Sequence, residues 1–375
     1  SNDGNSLTHN LLNTINVLNN ESLGDESLSH QSYDSSYSCD NVLKALRAHK
    51  WTIRNEEQDA FELFNVLTDT LESELYSSFP VYSLKDALIA EGLMNESSPE
   101  TSPAIQTRAS HMNVCGDNRI VKPLPTKGML CSQLYCRKCS HKFPLHLDTF
   151  DTISLSIPNN VFGIPIELHK CLEKFVSNEI IHEVRCETCI KNSHQLDANR
   201  KSAFVKKLTF AKMPQLLCLQ IHRLVWLNDG QIMKRNEHII FPEYLDMDSY
   251  VYKSNKSTID THVLPTQFGL IGGASTSLDI LNPSPNPIPN LNVNVNREPQ
   301  LSVNRTANKY KYKLCSVIVH LGGASSGHFI CYRRGTDDNN SQKWYYISDT
   351  DVLEVRLSKV LESPAYMLFY ERVSK

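Results

Sequence analysis

Four cysteines stand in two pairs of identical spacing, Cys136-Arg-Lys-Cys139 and Cys186-Glu-Thr-Cys189. Two residues between thiolates let both sulfurs face one tetrahedral Zn²⁺ at about 2.3 Å. Two such pairs complete a four-cysteine set with no open coordination position, which makes the expected metal structural rather than catalytic. The gap between the pairs is 46 residues, against the roughly 15–20 of a compact zinc ribbon. The metal is therefore expected to clamp the tips of long strands. A redox C-x-x-C is the competing reading, and two copies without a thioredoxin-like βαβ context count against it. The second chemistry-bearing stretch is His320-Leu-Gly-Gly-Ala-Ser-Ser-Gly-His328-Phe-Ile-Cys-Tyr332. A glycine-rich loop that delivers His328 at the start of a strand gives an imidazole rigid support on one side and open approach on the other. Downstream, Trp344-Tyr-Tyr-Ile-Ser348-Asp349 ends another strand with polar groups able to orient a histidine. Taken alone, the same residues also describe a hairpin with a surface histidine.

The elements that must position these groups follow from periodicity. Leu7, Leu11, Leu12, Ile15 and Leu18 fall at helical spacing and predict a short helix near 6–19, followed by a polar loop over 20–38. A second helix is expected at about 39–49, with Val42, Leu43 and Leu46 on one face. A third follows, with Asn55 as its cap, Gln58 completing a capping box, and an apolar face of Phe61, Phe64, Leu67 and Leu71. Ile153, Leu155 and Ile157 alternate with polar residues and mark a half-buried strand ended by Pro158. Residues 166–177 read as a helix, and Leu217, Leu219 and Ile221 as a strand. The last 67 residues return to strands around Leu314–Val319, Phe329–Tyr332, Trp344–Ile347 and Tyr366–Tyr370, with a short helix near 356–362. The fold class is α+β. Residues 1–89 form a helical lobe, 90–124 a linker or disordered insert, and 125–253 strands around the cysteine pairs. A Pro/Asn-rich insert fills 254–308 with six of the 17 prolines, and 309–375 hold the histidine box.

Composition narrows the function. The 375 residues include 38 Lys+Arg and 41 Asp+Glu, a formal net charge of −3. That balance, with no Lys/Arg run near either cysteine pair, counts against a zinc-ribbon nucleic-acid module. No window approaches the roughly 18 apolar residues of a membrane span, and the first residues lack the features of a signal peptide. Eleven cysteines without a secretory signal point to a reducing compartment. Beyond the two pairs, Cys115, Cys131, Cys171, Cys218, Cys315 and Cys331 have no paired spacing and read as small buried apolar side chains.

Read in series, the segments resemble the ubiquitin-specific protease family, the papain-like cysteine deubiquitinases. The matching pieces begin with Glu57-Gln58-Asp59-Ala60-Phe61-Glu62-Leu63-Phe64, the two cysteine pairs and Phe150–Ile157. Met213–Arg223, Gly327-His328-Phe329, Trp344–Asp349 and Ala365–Tyr370 then follow in the family's order. The resemblance implies a papain-like hand of thumb, palm and zinc-tipped fingers, N-terminally truncated, that grips ubiquitin and acts on ubiquitinated proteins. It implies that His328 is the general base, that Gln58 and Asp59 contact ubiquitin, and that Cys136, Cys139, Cys186 and Cys189 hold structural zinc. Asp59 is also a carboxylate at a helix start, favoured there by the helix dipole.

The third triad position departs from the common pattern, with Ser348 where most members carry Asn or Asp and with Asp349 as a supporting charge. A serine hydroxyl accepts the imidazole N–H but stabilises imidazolium less than a carboxylate does. This feature resembles the member of the mitochondrial outer membrane, whose N-terminal anchor is expected upstream of residue 1. No membrane contact is then expected from this stretch itself. The family's nucleophile box, G-N-T-C-[FYW]-x-N, has no match. Cys39 precedes a helix, where a thiol pKa can be lowered, but it lacks the surrounding box. The nucleophile is expected upstream as well, so the stretch is expected not to cleave by itself. The alternative is a pseudoenzyme that binds ubiquitin without cleaving it.

Overall fold

The computed structural model describes residues 6–19, 37–53, 58–76, 123–159, 165–191, 201–252, 309–335 and 342–373. All of the expected insert at 254–308 lies outside them, as do all but the last two residues of the insert at 90–124 and most of the loop over 20–38.

Three helices come first: α1 (Leu7–Leu18), α2 (Asp40–Ala48) and α3 (Ala60–Tyr76). Leu7, Val42, Ala45 and Leu46 are buried between them, with Leu11, Val66, Leu67 and Leu71 packed alongside. The buried face of α1 keeps only Leu7 and Leu11 of the leucine stripe that its periodicity predicts. Leu7, Asn10 and Thr14 turn inward, whereas Leu12, Ile15 and Leu18 are 50–61% exposed. The inward polar groups are satisfied locally, Asn10 Nδ2 donating to Ser6 O at 2.8 Å and Thr14 Oγ1 to Asn10 O at 2.8 Å. From α3, Glu74 reaches the start of α1 and accepts from Leu7 N, Thr8 N, Thr8 Oγ1 and Ser6 Oγ. A carboxylate there satisfies amides that no helical carbonyl can reach.

Two sheets follow. The smaller has the order β2-β1-β6-β5, from β1 (Gly128–Cys136), β2 (His146–Phe150), β5 (Glu179–Arg185) and β6 (Lys201–Lys212). The larger has the order β15-β14-β13-β12-β16-β7-β3, with β11 paired to β12. Its strands are β3 (Thr152–Ser156), β7 (Leu216–His222), β11 (Tyr244–Asp246), β12 (Lys311–Gly322), β13 (Gly327–Arg334), β14 (Trp344–Ser348), β15 (Asp351–Val355) and β16 (Ala365–Arg372). Only the β3–β7 pair among these is parallel. Short pairs complete the set: β4 (Ile166–Glu167) with β10 (Ile239–Ile240), and β8 (Leu224–Trp226) with β9 (Ile232–Lys234). Helix α4 (Leu168–Phe175) packs on the large sheet, α5 (Glu187–Lys191) carries Cys189, and α6 (Leu357–Leu361) precedes β16.

The main core lies on the large sheet, where Leu155, Leu219, Ile221, Val317, Leu368 and Tyr370 are among its buried members. The helical lobe joins this sheet through the Phe64–Phe369 edge contact, centroids 5.5 Å apart, and through Lys127. Its ammonium, 6% exposed, pairs with Glu72 of α3 and with Asp151 at the start of β3.

Candidate active site

His328 is the second residue of β13, placed opposite Leu321 of β12. The connecting turn is built on two glycines. Gly322 has φ +122°, a conformation L side chains rarely adopt. A side chain on Gly327 would collide with Leu321 O and the His320 ring. Gly323 N donates to Ser326 O at 2.9 Å and closes the turn. The sequence signal was therefore structural as well as chemical, since only glycine lets this loop fold back so tightly.

Ser348 ends β14, the next strand across, and its Oγ lies 2.8 Å from His328 Nε2. Asp349 follows at φ +49°, a left-handed position that Asp tolerates better than most residues. Its Oδ2 is 3.8 Å from the same Nε2, and its side chain is 81% exposed. The serine is thus the direct partner and the aspartate a more distant charge. With the proton on Nε2, Ser348 Oγ accepts it, and Nδ1 keeps the lone pair that a base needs. Among the described residues, the hydrogen bonds and ion pairs of His328 run to Ser348 and Asp349 and to no cysteine. Cys39 is the exposed N-cap of α2 and makes no capping bond.

Asp59 sits at the start of α3. Its Oδ1 accepts from Phe61 N at 2.7 Å and Glu62 N at 3.1 Å, so Asp59 itself caps the helix, which begins at Ala60. The expected cap Asn55 lies outside the described residues. A carboxylate one residue before the helix accepts the second and third amides directly, leaving no role for a cap four residues earlier. Gln58 is exposed beside it. The other Asp59 oxygen accepts from Tyr366 Oη at 2.7 Å. Tyr366 Oη accepts in turn from Gln220 Nε2 at 3.1 Å, and Gln220 Oε1 accepts from Ser154 Oγ at 2.7 Å. Burial and then the Asp59 carboxylate push the Tyr366 phenol well above its ordinary pKa, so it stays a donor. This relay across β16, β7 and β3 holds Asp59 against the sheet. Tyr366 and Gln220 lie inside the Ala365–Tyr370 and Met213–Arg223 segments, where the sequence pattern gives them no part of their own. Gln220 alternates with Leu219 and Ile221 in the sequence, and only the tertiary pairing shows the polar contact.

The aromatic residue after His328 on β13, Phe329, reaches the tyrosine that holds Asp59. Phe329, His320 and Tyr366 form an aromatic cluster, with the His320–Phe329 centroids 4.7 Å and the Phe329–Tyr366 centroids 5.7 Å apart. The site lies on an open surface, with the His328 side chain 47% exposed. The cleft of about 550 Å³ between α3 and the sheet is lined by Phe61, Glu72, Lys127 and Asp151 and not by His328.

The four paired cysteines meet at the far end of the small sheet. Their sulfurs all lie within 4.8 Å of one another, and Cys136–Cys189 and Cys139–Cys186 are each 3.6 Å apart. A tetrahedron with arms of about 2.3 Å has edges near 3.8 Å, so the set fits Zn²⁺. Cys136 ends β1, and Ser140 N donates back to Cys136 O at 2.9 Å to form the knuckle. Burial pushes the Cys136 thiol up, but the backbone amides of Cys139 and Lys138 outweigh it and lower the thiol to about 6. Burial, then the neighbouring sulfurs, push Cys189 up to about 12. Further negative charge in the cluster is resisted until a dication compensates it. Elsewhere Cys131, Cys171 and Cys218 are buried and Cys315 and Cys331 half-buried, while Cys115 lies outside the described residues.

Comparison with known proteins places these features in context. The family described as ubiquitin carboxyl-terminal hydrolase matches residues 1–370. Ubiquitin carboxyl-terminal hydrolase 30 of Xenopus tropicalis is 37% identical over 361 residues, covering 88% of this chain and 67% of the relative. The Homo sapiens protein of that name is 33% identical over 365 residues, covering 88% and 70%. Among solved structures, the Ubp8-Sgf11-Sgf73-Sus1 SAGA DUB module matches with TM-score 0.52 at 18% identity, covering 99% of this chain and 58% of that one. The SAGA Ubp8/Sgf11/Sus1/Sgf73 DUB module bound to ubiquitin aldehyde matches with TM-score 0.53 at 19% identity, covering 89% and 54%. The chain therefore spans little more than half of these solved chains. Their likeness shows a shared fold: a papain-like hand in which the helices are the thumb, the large sheet the palm and the small sheet the fingers.

Proposed function

The chain belongs to the ubiquitin carboxyl-terminal hydrolase family, and from that premise we propose that it is the greater part of a thiol-dependent deubiquitinase, which removes ubiquitin from protein conjugates. The observation that carries the reading is the His328–Ser348 pair at 2.8 Å, set on the palm that also anchors Asp59 through Tyr366. His328 Nδ1 takes the proton of a cysteine thiol. The thiolate attacks the carbonyl of ubiquitin's C-terminal glycine, and the imidazolium returns the proton to the leaving amine. Water, deprotonated by the same imidazole, then cleaves the thioester and frees ubiquitin. Ser348 holds the ring through Nε2, and Asp349 adds charge from farther away. Gln58 and Asp59 receive the ubiquitin tail. Zinc bound by Cys136, Cys139, Cys186 and Cys189 fixes the finger end of the grip and takes no part in bond breaking.

None of the eleven cysteines has the nucleophile's sequence context. Residues 1–375 as given are therefore proposed to bind ubiquitin and ubiquitinated proteins without cleaving them. The likeness to ubiquitin carboxyl-terminal hydrolase 30 supports a place on the mitochondrial outer membrane for the whole protein. No helix among the described residues is long and apolar enough to cross a membrane. The proposed organisation keeps a thumb in 1–89, fingers and palm in 125–253 and the His-bearing palm in 309–375, with inserts at 90–124 and 254–308.

A fluorogenic ubiquitin-amide substrate and a ubiquitin titration test both halves of the reading. Binding without turnover is expected. Turnover abolished by Cys39→Ala would place the nucleophile within this stretch. Failure to bind ubiquitin would overturn the reading. A G-N-T-C box in the coding sequence upstream distinguishes the enzyme from a pseudoenzyme.

A further inference from the structure

Lys234 is the last residue of β9, and its ammonium pairs with no carboxylate among the described residues. Nζ donates to His320 O at 3.0 Å and to Gly322 O at 2.8 Å. These two carbonyls flank Leu321, the residue that faces His328 across the β12–β13 ladder. The cation therefore grips the turn on both sides of the position that supports His328.

The base from which it reaches is firmly tied. Arg235 N donates to Arg223 O at 2.7 Å. The Arg223 guanidinium is buried and donates to Ala365 O, Arg235 O and Glu237 O, each at 2.9 Å. Arg235 donates onward to Ile157 O at 2.9 Å and to Glu237 Oε1 at 2.7 Å. The hairpin root is thus fixed to the ends of β3 and β16, while the glycine turn beyond β12 has few side chains of its own to hold it. Charge-assisted bonds to carbonyls supply that restraint.

We propose that Lys234 is a positioning residue for His328: it clamps the carbonyls of His320 and Gly322, and so fixes the turn that presents the imidazole to Ser348. The proposal rests on the reading of His328 as the general base. It adds a specific dependence of that base on a hairpin whose outer residues, Trp226 at 71% and Met233 at 46%, are exposed.

The test uses residues 1–375 and needs no turnover. Lys234→Met keeps the aliphatic stem and removes the donors, and Lys234→Arg restores donors. Amide hydrogen exchange is measured over 320–330, with 217–221 as the palm control, and the His328 ring ¹⁵N shifts report which nitrogen holds the proton. Lys234→Met is expected to speed exchange in the turn by about tenfold or more, as loss of a charge-assisted bond does. It also moves the ring shifts toward those of a free imidazole. Lys234→Arg returns both toward wild type. Unchanged exchange and ring shifts in Lys234→Met overturn the proposal. So does equal loss of protection at 217–221, which would make Lys234 a general anchor. Ubiquitin titration of the same samples is read separately: failure of wild type to bind overturns the deubiquitinase reading and leaves the clamp result standing.

Discussion

The finger tip and the palm of this molecule solve the same problem by different means. At the tip the buried cluster is Cys136, Cys186, Cys189 and Phe204, three sulfurs and one ring. Strand β5, which leads to it, has no fully buried residue. In the palm, β7 buries five consecutive side chains from Leu217 to Ile221, and β16 buries Ala365, Met367, Leu368 and Tyr370. Apolar burial at about 25 cal/mol per Å² holds the palm together. The tip buries little besides Phe204, and its four sulfurs are placed to hold a metal by coordinate bonds instead. A grip that must reach away from its core can be narrow if a metal, rather than packing, closes its end.

The sharpest way to break this contrast is to remove the metal. Structural zinc in small sites contributes on the order of 10–16 kcal/mol at neutral pH. Cys189→Ser, or a strong chelator, is expected to abolish amide protection over 136–142, 186–190 and 201–206. Protection at 217–221 and 366–370 should persist. Metal analysis of the untreated protein should give one zinc per chain. Loss spread evenly across both sheets would show that tip and palm fold as one unit. The converse experiment is Leu219→Ala, at a side chain with no exposure. A core truncation of this kind costs about 2–5 kcal/mol, read as a lower urea midpoint. Zinc content should not change in the fraction that remains folded.

The same contrast explains what could be read from the chain beforehand. The cysteine set was legible because its chemistry is local, two residues within each pair, and the four sulfurs do converge. The palm strands were legible where apolar and polar residues alternate, as at Ile153, Leu155 and Ile157. Strand β15 was not, because Val352 and Leu353 are each 59% exposed and nothing in their pattern separates an edge strand from a loop. Helix α1 was legible, but its buried face only in part, at Leu7 and Leu11. The leucine stripe predicts inward Leu12 and Ile15, whereas Glu74 of α3 docks the helix by its first turn and rotates Asn10 and Thr14 inward. The contacts of Lys234 and Tyr366 could not be read from the chain. Their partners lie 86 and 307 residues away, and no periodicity encodes a contact of that range.

The helical lobe adds a third means of closure to its small apolar core, a carboxylate docked on a helix start, and its signature is pH. Burial raises the Glu74 pKa, but hydrogen bonds from the Thr8 side chain and amide, Leu7 N and Ser6 outweigh it and lower the carboxyl to about 2. A carboxylate depressed in the folded state stabilises fully above its unfolded pKa and loses that contribution as pH falls toward the folded value. Stability should therefore decline between about pH 4.5 and 2 through this group. The contribution is roughly 1–2 kcal/mol once solvent screening is allowed for. Denaturation at about pH 6 and about pH 3 with Glu74→Gln measures it. The variant should be less stable at the higher pH and should show a smaller further drop at the lower one. An identical drop would assign the acid sensitivity elsewhere.

The smallest effect separates holding from gripping within the lobe itself. Asp59 caps α3 with one oxygen and meets Tyr366 with the other. Asp59→Asn keeps a side-chain acceptor for the helix amides, since Asn caps about as well as Asp. Its amide offers one oxygen, so the Tyr366 hydroxyl loses its acceptor while the cap survives, and thermal melting should place the variant between wild type and Asp59→Ala. Asp59→Ala loses the cap and the tyrosine contact and should cost about 1 kcal/mol. If the carboxylate also receives the basic tail of ubiquitin, both variants bind ubiquitin equally weakly, although Asp59→Asn is the more stable. If affinity instead follows stability, with Asn less impaired than Ala, then Asp59 serves the helix and not the ligand. The ubiquitin contact would then have to be sought at Gln58 and the neighbouring surface.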